Sequence, residues 1–358
     1  MTTTAVPQIN EEKLFEFVFK MVGDMGATAN APLVLLGDQL GLYKAIADGG
    51  DVTSESLAKS TGTKERYVRE WLATQAAAGY IEYNADANTF SITPEKAMAL
   101  ANDESPVFMM GAFYSFVSLF ADQAKLVEAF KSGSGVAWGD HHDCLFSGVA
   151  KFFKPSYRAH LLQDWIPALG GDTKSKLERG AKVADVGCGH GVSTILMAKA
   201  FPNSTFVGYD IHTPSIEEAR RSAKESGVTN VSFEVSSAQA FPGEGYDLVT
   251  FFDCLHDMGD PLGAATQVKK NLAPDGTWMI VEPMAKNALK DNLNPVGQLY
   301  YAFSTQICTP SAMSQDGGTS LGAQAGEERL TEILQNGGFG QVRRASETPF
   351  NMVLEARA

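Results

Sequence analysis

The sequence predicts a two-domain α/β chain, a mostly helical N-terminal domain followed by a largely parallel sheet, on three observations. Strand-like and helix-like stretches alternate from residue 182 to the end, the pattern that yields a parallel sheet. The run Val183-Ala-Asp-Val-Gly-Cys-Gly-His-Gly-Val192 sets a glycine-rich turn between a buried strand and a helix. The first hundred residues lack that alternation and have the outline of helix, turn, helix and hairpin. Domains are therefore expected over 1–100 and 171–358, with a helical, pocket-forming connection over 101–170.

The N-terminal helix carries Leu14, Phe15, Phe17, Val18, Phe19, Met21 and Val22 all round rather than along one stripe, which predicts burial on more than one side. A second copy of the chain would provide that surface, so a homodimer through the N-terminal helices is expected; packing against residues 100–130 is the alternative. A short helix after Val52-Thr-Ser, the turn Thr61-Gly-Thr and a longer helix through Leu72 outline a helix-turn-helix. Residues 79–93, with a polar Asp/Asn tip, supply a wing. Lys64, Arg66 and Arg69 sit on the second helix, but Glu65 and Glu70 share it. Through residue 100 there are eight basic residues against thirteen acidic ones, a net charge of −5, whereas a duplex-reading face is basic. Nucleic acid is not the expected partner.

In the second half, strands are predicted at 182–186, 206–210, 231–235, 246–252 and 277–282, then a helix at 327–335, a turn at 336–338 and strands at 341–345 and 351–356. The glycine turn lies at the carboxyl end of the first of these, where α/β sheets bind ligands. A dinucleotide fingerprint places glycine at its first, third and sixth positions. Here the sixth position after Gly187 is Val192 and the third glycine arrives early at Gly191, which argues against NAD. Asp210, ending the second strand about 20 residues on, stands where a ribose-binding carboxylate is expected.

Composition sets the outer bounds. The 358 residues, 44% hydrophobic, can bury a large core. A formal charge of −13 offers no attraction to phosphate backbones. No cationic leader precedes a long apolar run and no stretch reaches a membrane span, so neither export nor membrane insertion is expected. Cys144, Cys188, Cys254 and Cys308 are scattered without Cys-x-x-Cys spacing, which encodes neither a disulfide framework nor a metal site and fits a reducing cytoplasm.

Asp185-x-Gly-x-Gly-x-Gly191 followed by the acidic strand end Asp210 resembles motifs I and II of class I S-adenosylmethionine (SAM) methyltransferases. With the winged helix, Trp138-Gly-Asp-His-His-Asp143, Tyr157-Arg-Ala-His160 and Cys254-Leu-His-Asp-Met-Gly-Asp260, nearly the whole chain resembles the bacterial type 12 group, related to plant caffeic-acid-type and mitomycin O-methyltransferases. The last segment matches that family's His-Asp-Trp-x-Asp, with Met258 in place of Trp. The resemblance implies a Rossmann-like, seven-stranded sheet with a reversed last strand behind a winged-helix domain, and SAM as cofactor. It implies that His256 is the general base toward a small, hydrophobic or aromatic hydroxyl acceptor, with Glu282 flanking it; a neutral imidazole suits removal of a hydroxyl proton. Asp185, Gly187, Gly189, Gly191, Asp210, Ile211, Ser237, Ala238, Phe252 and Asp253 fall at the cofactor-holding positions. Ser237 and Phe252 depart from a family carboxylate and lysine. The long connection 283–326, with Tyr300, Tyr301 and Met313, and upstream His141, His142 and Tyr157 are expected at the acceptor pocket. Two other classes remain open, a SAM-responsive winged-helix regulator and a non-catalytic SAM-binding protein.

Overall fold

The computed structural model describes residues 9–357. The chain divides into two compact units, Met1–Phe116 and Val117–Ala358.

In the first unit, helix Glu11–Gln39 starts where the Asn10 side chain accepts a hydrogen bond from the Lys13 N–H at 3.1 Å. Only Asn30, Val34 and Gly37 of this helix are buried. A Cβ at Gly37 would meet the Trp71 ring at 2.6 Å, so only glycine permits that approach. Helix Ser54–Thr61 opens on a capping box between Thr53 and Ser56 and stops at Gly62, which is left-handed at φ 67°. Helix Glu65–Ala77 follows, then β1 (Glu82–Asn84) and β2 (Thr89–Ser91), paired antiparallel as the wing. Val34, Tyr43, Ile46, Leu57, Trp71 and Leu72 form the core. Arg66 pairs with Glu70 at 2.6 Å and Arg69 with Glu65 at 2.7 Å, so the acids on the second helix neutralise two of its three cations.

The second unit holds a seven-stranded sheet: β3 (Lys182–Val186), β4 (Thr205–Asp210), β5 (Val231–Val235), β6 (Tyr246–Phe252), β7 (Leu272–Pro283), β8 (Gln341–Glu347) and β9 (Asn351–Arg357). Their order is β5-β4-β3-β6-β7-β9-β8, all parallel except β9, which runs antiparallel to both neighbours. The predicted strands are all present. β7 begins five residues before the expected start because Leu272 already pairs with Tyr246 across a register shift. The chain turns back on itself between β3 and β6, so the loops leaving those two strands diverge and open a crevice, the switch point at which such sheets bind ligands. Apolar residues cover both faces of the sheet, with Phe251, Trp278 and Phe339 on one and Phe206, Met279 and Val353 on the other. Two helical stretches carry π-type turns, Tyr157–Trp165 and Ser304–Cys308. Among the described residues no helix is long and apolar enough to cross a membrane.

Candidate active site

A cavity opens at the switch point, within the second unit. Its floor is the loop after β3. Gly187, Gly189 and Gly191 all have positive φ, at 74°, 52° and 74°. A Cβ at Gly187 would meet Cys254 Sγ at 2.6 Å and one at Gly191 would meet the Phe233 ring at 2.7 Å, whereas one at Gly189 would enter open space. Packing therefore requires two of these glycines, while Gly189 leaves room at the cavity wall. Asp210 braces the loop: Oδ2 accepts from the Gly189 N–H and Oδ1 from the His212 N–H, both at 2.9 Å.

Of the sequence-predicted cofactor positions, Gly187, Gly189, Asp210, Ile211, Ala238, Phe252 and Asp253 line the cavity. Asp185, Gly191 and Ser237 do not. Asp185 is buried behind the loop, where its oxygens accept from Ser193 (2.7 Å), Thr194 (2.6 Å) and Thr250 (2.9 Å) hydroxyls and so tie β3 to the following helix and to β6. Burial raises its carboxyl to about 6 against the lowering effect of those hydroxyls. Ser236, not Ser237, reaches the lining, together with Ala238 and Gln239.

Asp253 stands out at the end of β6. Its backbone is left-handed at φ 50°, one of two such non-glycine residues among those described. Oδ1 accepts from Asn351 Nδ2 at 2.8 Å, while Oδ2 is buried without a hydrogen-bond partner. Burial, reinforced by the Glu282 charge, pushes this carboxyl well above its ordinary range.

The loop continues into His256, Asp257 and Met258. His256 is 4% exposed and lies off the cavity lining, as does Glu282; Asp257 lines it. Glu282, at the end of β7, accepts from the Leu255 N–H at 3.0 Å and holds His256 Nδ1 at 2.5 Å. His256 Nε2 is 3.2 Å from Asp257 Oδ1, in charge contact but out of line for a hydrogen bond. Burial alone would lower the imidazole pKa; the Glu282 and Asp257 carboxylates and Cys308 outweigh it and raise it well above the ordinary value. The imidazole expected from sequence as the base is thus set between two carboxylates, one of them at the cavity wall.

Tyr157 lines the cavity and meets Phe252 at 5.1 Å between ring centroids. The other predicted pocket residues lie off the lining. His141 is buried with Nδ1 3.1 Å from Asp122 Oδ2, and the His142 ring accepts from the Cys144 N–H at 3.2 Å. The Tyr300 hydroxyl donates to the Phe350 carbonyl at 2.8 Å, Tyr301 is half-buried, and Met313 is exposed. The wall is instead built by Phe146, Val149, Ala150 and Phe153, with Ser311 and Gln315 from the long connection. The first four stand at i, i+3, i+4 and i+7 of helix Cys144–Ser156, and Tyr157 extends the row, so helical spacing alone would have found this face.

Residues 177–338 match a family described as a methyltransferase domain, and residues 28–102 match the Rv2258c-like winged HTH domain. A ubiquinone biosynthesis O-methyltransferase of Actinobacillus pleuropneumoniae is 38% identical over 103 residues, 27% of this chain and 43% of that enzyme. One from Thiobacillus denitrificans is 33% identical over 153 residues, 41% of this chain and 61% of its own length. The chain thus spans less than two thirds of the curated relatives it matches. Among solved structures, a Nostoc punctiforme protein described as an O-methyltransferase superposes with a TM-score of 0.73 at 21% identity, over 98% of this chain and 100% of that one. Human N-acetylserotonin methyltransferase in complex with SAM gives 0.63 at 14% identity, covering 99% of each chain. The second unit has the class I methyltransferase fold, with its reversed final strand, and the first unit carries a winged helix-turn-helix domain.

Proposed function

We propose that this methyltransferase domain binds SAM in the switch-point cavity and transfers its methyl group to a hydroxyl of a small, flat, hydrophobic acceptor. The observation that carries the reading is the match between the cavity and the ligand. Gly189 leaves a space that any side chain would fill, and the unpartnered Asp253 Oδ2 awaits a donor such as the α-ammonium group. Asp210, already accepting two backbone N–H groups, has lone pairs left for ribose hydroxyls. SAM supplies an electrophilic methyl group on a sulfonium. The chain's own contributions are positioning and proton handling. Phe252 and Tyr157 set aromatic rings beside the cavity and exclude water, while Phe146, Phe153 and Met258 give the acceptor an apolar seat. The acceptor proton leaves at Asp257, the one carboxylate of the His256 cluster on the wall. Glu282 holds His256 at Nδ1, and His256 Nε2, 3.2 Å from Asp257 Oδ1, balances that carboxylate, so His256 acts within a constellation rather than alone.

The test is a panel of small aromatic hydroxyl compounds assayed for SAM-dependent product with native protein, His256→Ala and Asp257→Asn. Both variants should lose roughly 10²–10⁴-fold in rate at nearly unchanged SAM affinity, and the loss should shrink for acceptors of low pKa that arrive ionised. A small, uniform effect across the series would remove the proton-accepting role. Tight SAM binding without turnover on any phenol, amine or thiol would favour the silent binding protein.

Association belongs to the same proposal. Phe15, Phe17, Phe19, Val22 and Met25 of the first helix are 51–71% exposed, an apolar surface suited to a second copy of the chain. The four free cysteines fit the cytoplasm as the working compartment.

A further inference from the structure

We propose that Ser311 selects the acceptor: its hydroxyl binds a second oxygen of the acceptor ring, carried on the carbon next to the one that bears the reacting hydroxyl. The inference rests on the methyl-transfer reading and deepens it, because it names a chemical class of acceptor for the same cavity. Ser311 belongs to helix Thr309–Met313 and lines the cavity, yet it is fully buried and its Oγ has no hydrogen-bond partner. A helical serine ordinarily donates to the carbonyl three or four residues back. Here those residues, Ile307 and Cys308, lie in the π-type turn Ser304–Cys308, and the hydroxyl is left idle. Serine has a single side-chain torsion. Rotation about it carries the hydroxyl from its unpaired position to the cavity side, where a ligand oxygen gives the donor a partner.

Gln315 fixes where that donor stands. Its Nε2 donates to the Asp257 carbonyl at 2.8 Å and to the Ser311 carbonyl at 3.1 Å, while its Oε1 accepts from the Gly259 N–H at 3.1 Å. One amide group therefore ties the backbone of the proton-accepting carboxylate to the backbone of the serine. The helix that carries Ser311 is seated from behind as well. The Val136 N–H donates to the Pro310 carbonyl at 3.0 Å, and Gly135, at φ 74°, lies so close that a Cβ there would collide with the backbone of Pro310 and Ser314.

Asp257 and Ser311 thus stand as neighbours on a braced wall, with different roles: the carboxylate takes a proton and the hydroxyl donates a hydrogen bond. Such a pair suits a hydroxyl beside an ether or carbonyl oxygen on adjacent ring carbons, and not two oxygens at opposite ends of a ring. The apolar seat of Phe146, Phe153 and Met258 leaves an oxygen on the far side of the ring desolvated without a partner.

The test uses 2-methoxyphenol, its isomer 4-methoxyphenol of nearly equal acidity, and 2-ethylphenol, which keeps the shape of the first without its ether oxygen. Calorimetry on the full chain saturated with S-adenosylhomocysteine reads binding, and SAM-dependent product reads kcat/KM. Ser311→Ala should lose about 2- to 12-fold on 2-methoxyphenol in both measurements, the worth of one neutral hydrogen bond, and leave the other two compounds unchanged. The variant's SAM affinity and circular dichroism check its fold. Equal losses on all three compounds, no loss on 2-methoxyphenol, or no binding of it to native protein overturns the assignment. The two readings fail separately. Discrimination by Ser311 in calorimetry without methylated product removes methyl transfer and keeps the recognition site, whereas product formed without that discrimination removes the site and keeps methyl transfer.

Discussion

Replacing Asp253 by Asn should weaken binding of S-adenosylhomocysteine by about 10- to 150-fold and leave 5′-methylthioadenosine, which lacks the amino-acid portion, unchanged. Asp253 is held left-handed at φ 50°, a conformation that costs an L-residue roughly 1–2 kcal/mol, and its Oδ1 is fixed by Asn351 at 2.8 Å. That geometry leaves Oδ2 as the atom offered to the cavity. A hydrogen bond from an ammonium to this buried carboxylate contributes about 1.5–3 kcal/mol, which converts to that range of affinity. The Asn variant keeps the size but must turn its oxygen to Asn351, presenting an NH2 group to the ammonium, donor against donor. Titration calorimetry with the two ligands on native and variant protein isolates the interaction, because the nucleoside contacts cancel. Equal losses for both ligands would mean that the substitution collapses the loop, and no loss for either would place the ammonium elsewhere; both refute the assignment.

The glycine loop gives a paired expectation. Gly189→Val should cost SAM about 1–3 kcal/mol in affinity by filling the cavity wall, while Gly187→Ala, forced against Cys254, should show chiefly as a melting temperature lower by roughly 2–8 °C. Asp210→Ala should weaken SAM by roughly 1.5–3 kcal/mol in calorimetry, with NAD giving no comparable signal. Burial of Asp122 is outweighed by Lys125 and by hydrogen bonds from the His142 N–H, His141 and Ser118, which hold its carboxyl at about 2. Its folded pKa lies below the unfolded one, so it stabilises above about pH 4 and the contribution disappears as pH falls toward 2. Asp122→Asn should therefore cost about 2 kcal/mol at pH 7 and only a small fraction of that at pH 2 in denaturant titrations. Introducing charge at Phe15 and Phe19 should yield a monomer in sedimentation where the native chain sediments as a dimer, and a native monomer at micromolar concentration would remove the dimer.

What the sequence made legible follows the range of each physical signal. Strand and helix periodicity is local, so all seven strands of the large sheet and both helices of the helix-turn-helix were readable. The glycine turn was readable because positive φ leaves a residue-type signature, although its members differ in use: Gly187 and Gly191 admit close packing and Gly189 leaves space. Asp185 sits in the motif, and its oxygens accept from three hydroxyls behind the loop, off the cavity lining. Tyr300, His141 and His142 were expected at the pocket from proximity along the chain, and each is instead occupied by a neighbouring backbone group or Asp122.

The electrostatics of the His256 cluster are the least legible part, for a reason that bears on mechanism. Sequence supplies an isolated histidine, for which a neutral, proton-accepting imidazole is the natural expectation. The fold adds Glu282 from β7 and Cys308 from the long connection, both remote in sequence, and brings Asp257 round to face Nε2. Each addition favours positive charge at the ring. A group so placed is suited to stabilise the carboxylate that meets the acceptor. The comparison of His256→Ala with Asp257→Asn across acceptor pKa therefore weighs most for the chemistry. If Asp257→Asn loses rate steeply on weakly acidic acceptors and His256→Ala loses less, the wall carboxylate is the reacting group. If His256→Ala loses more, the imidazole must move into the cavity once ligands are bound.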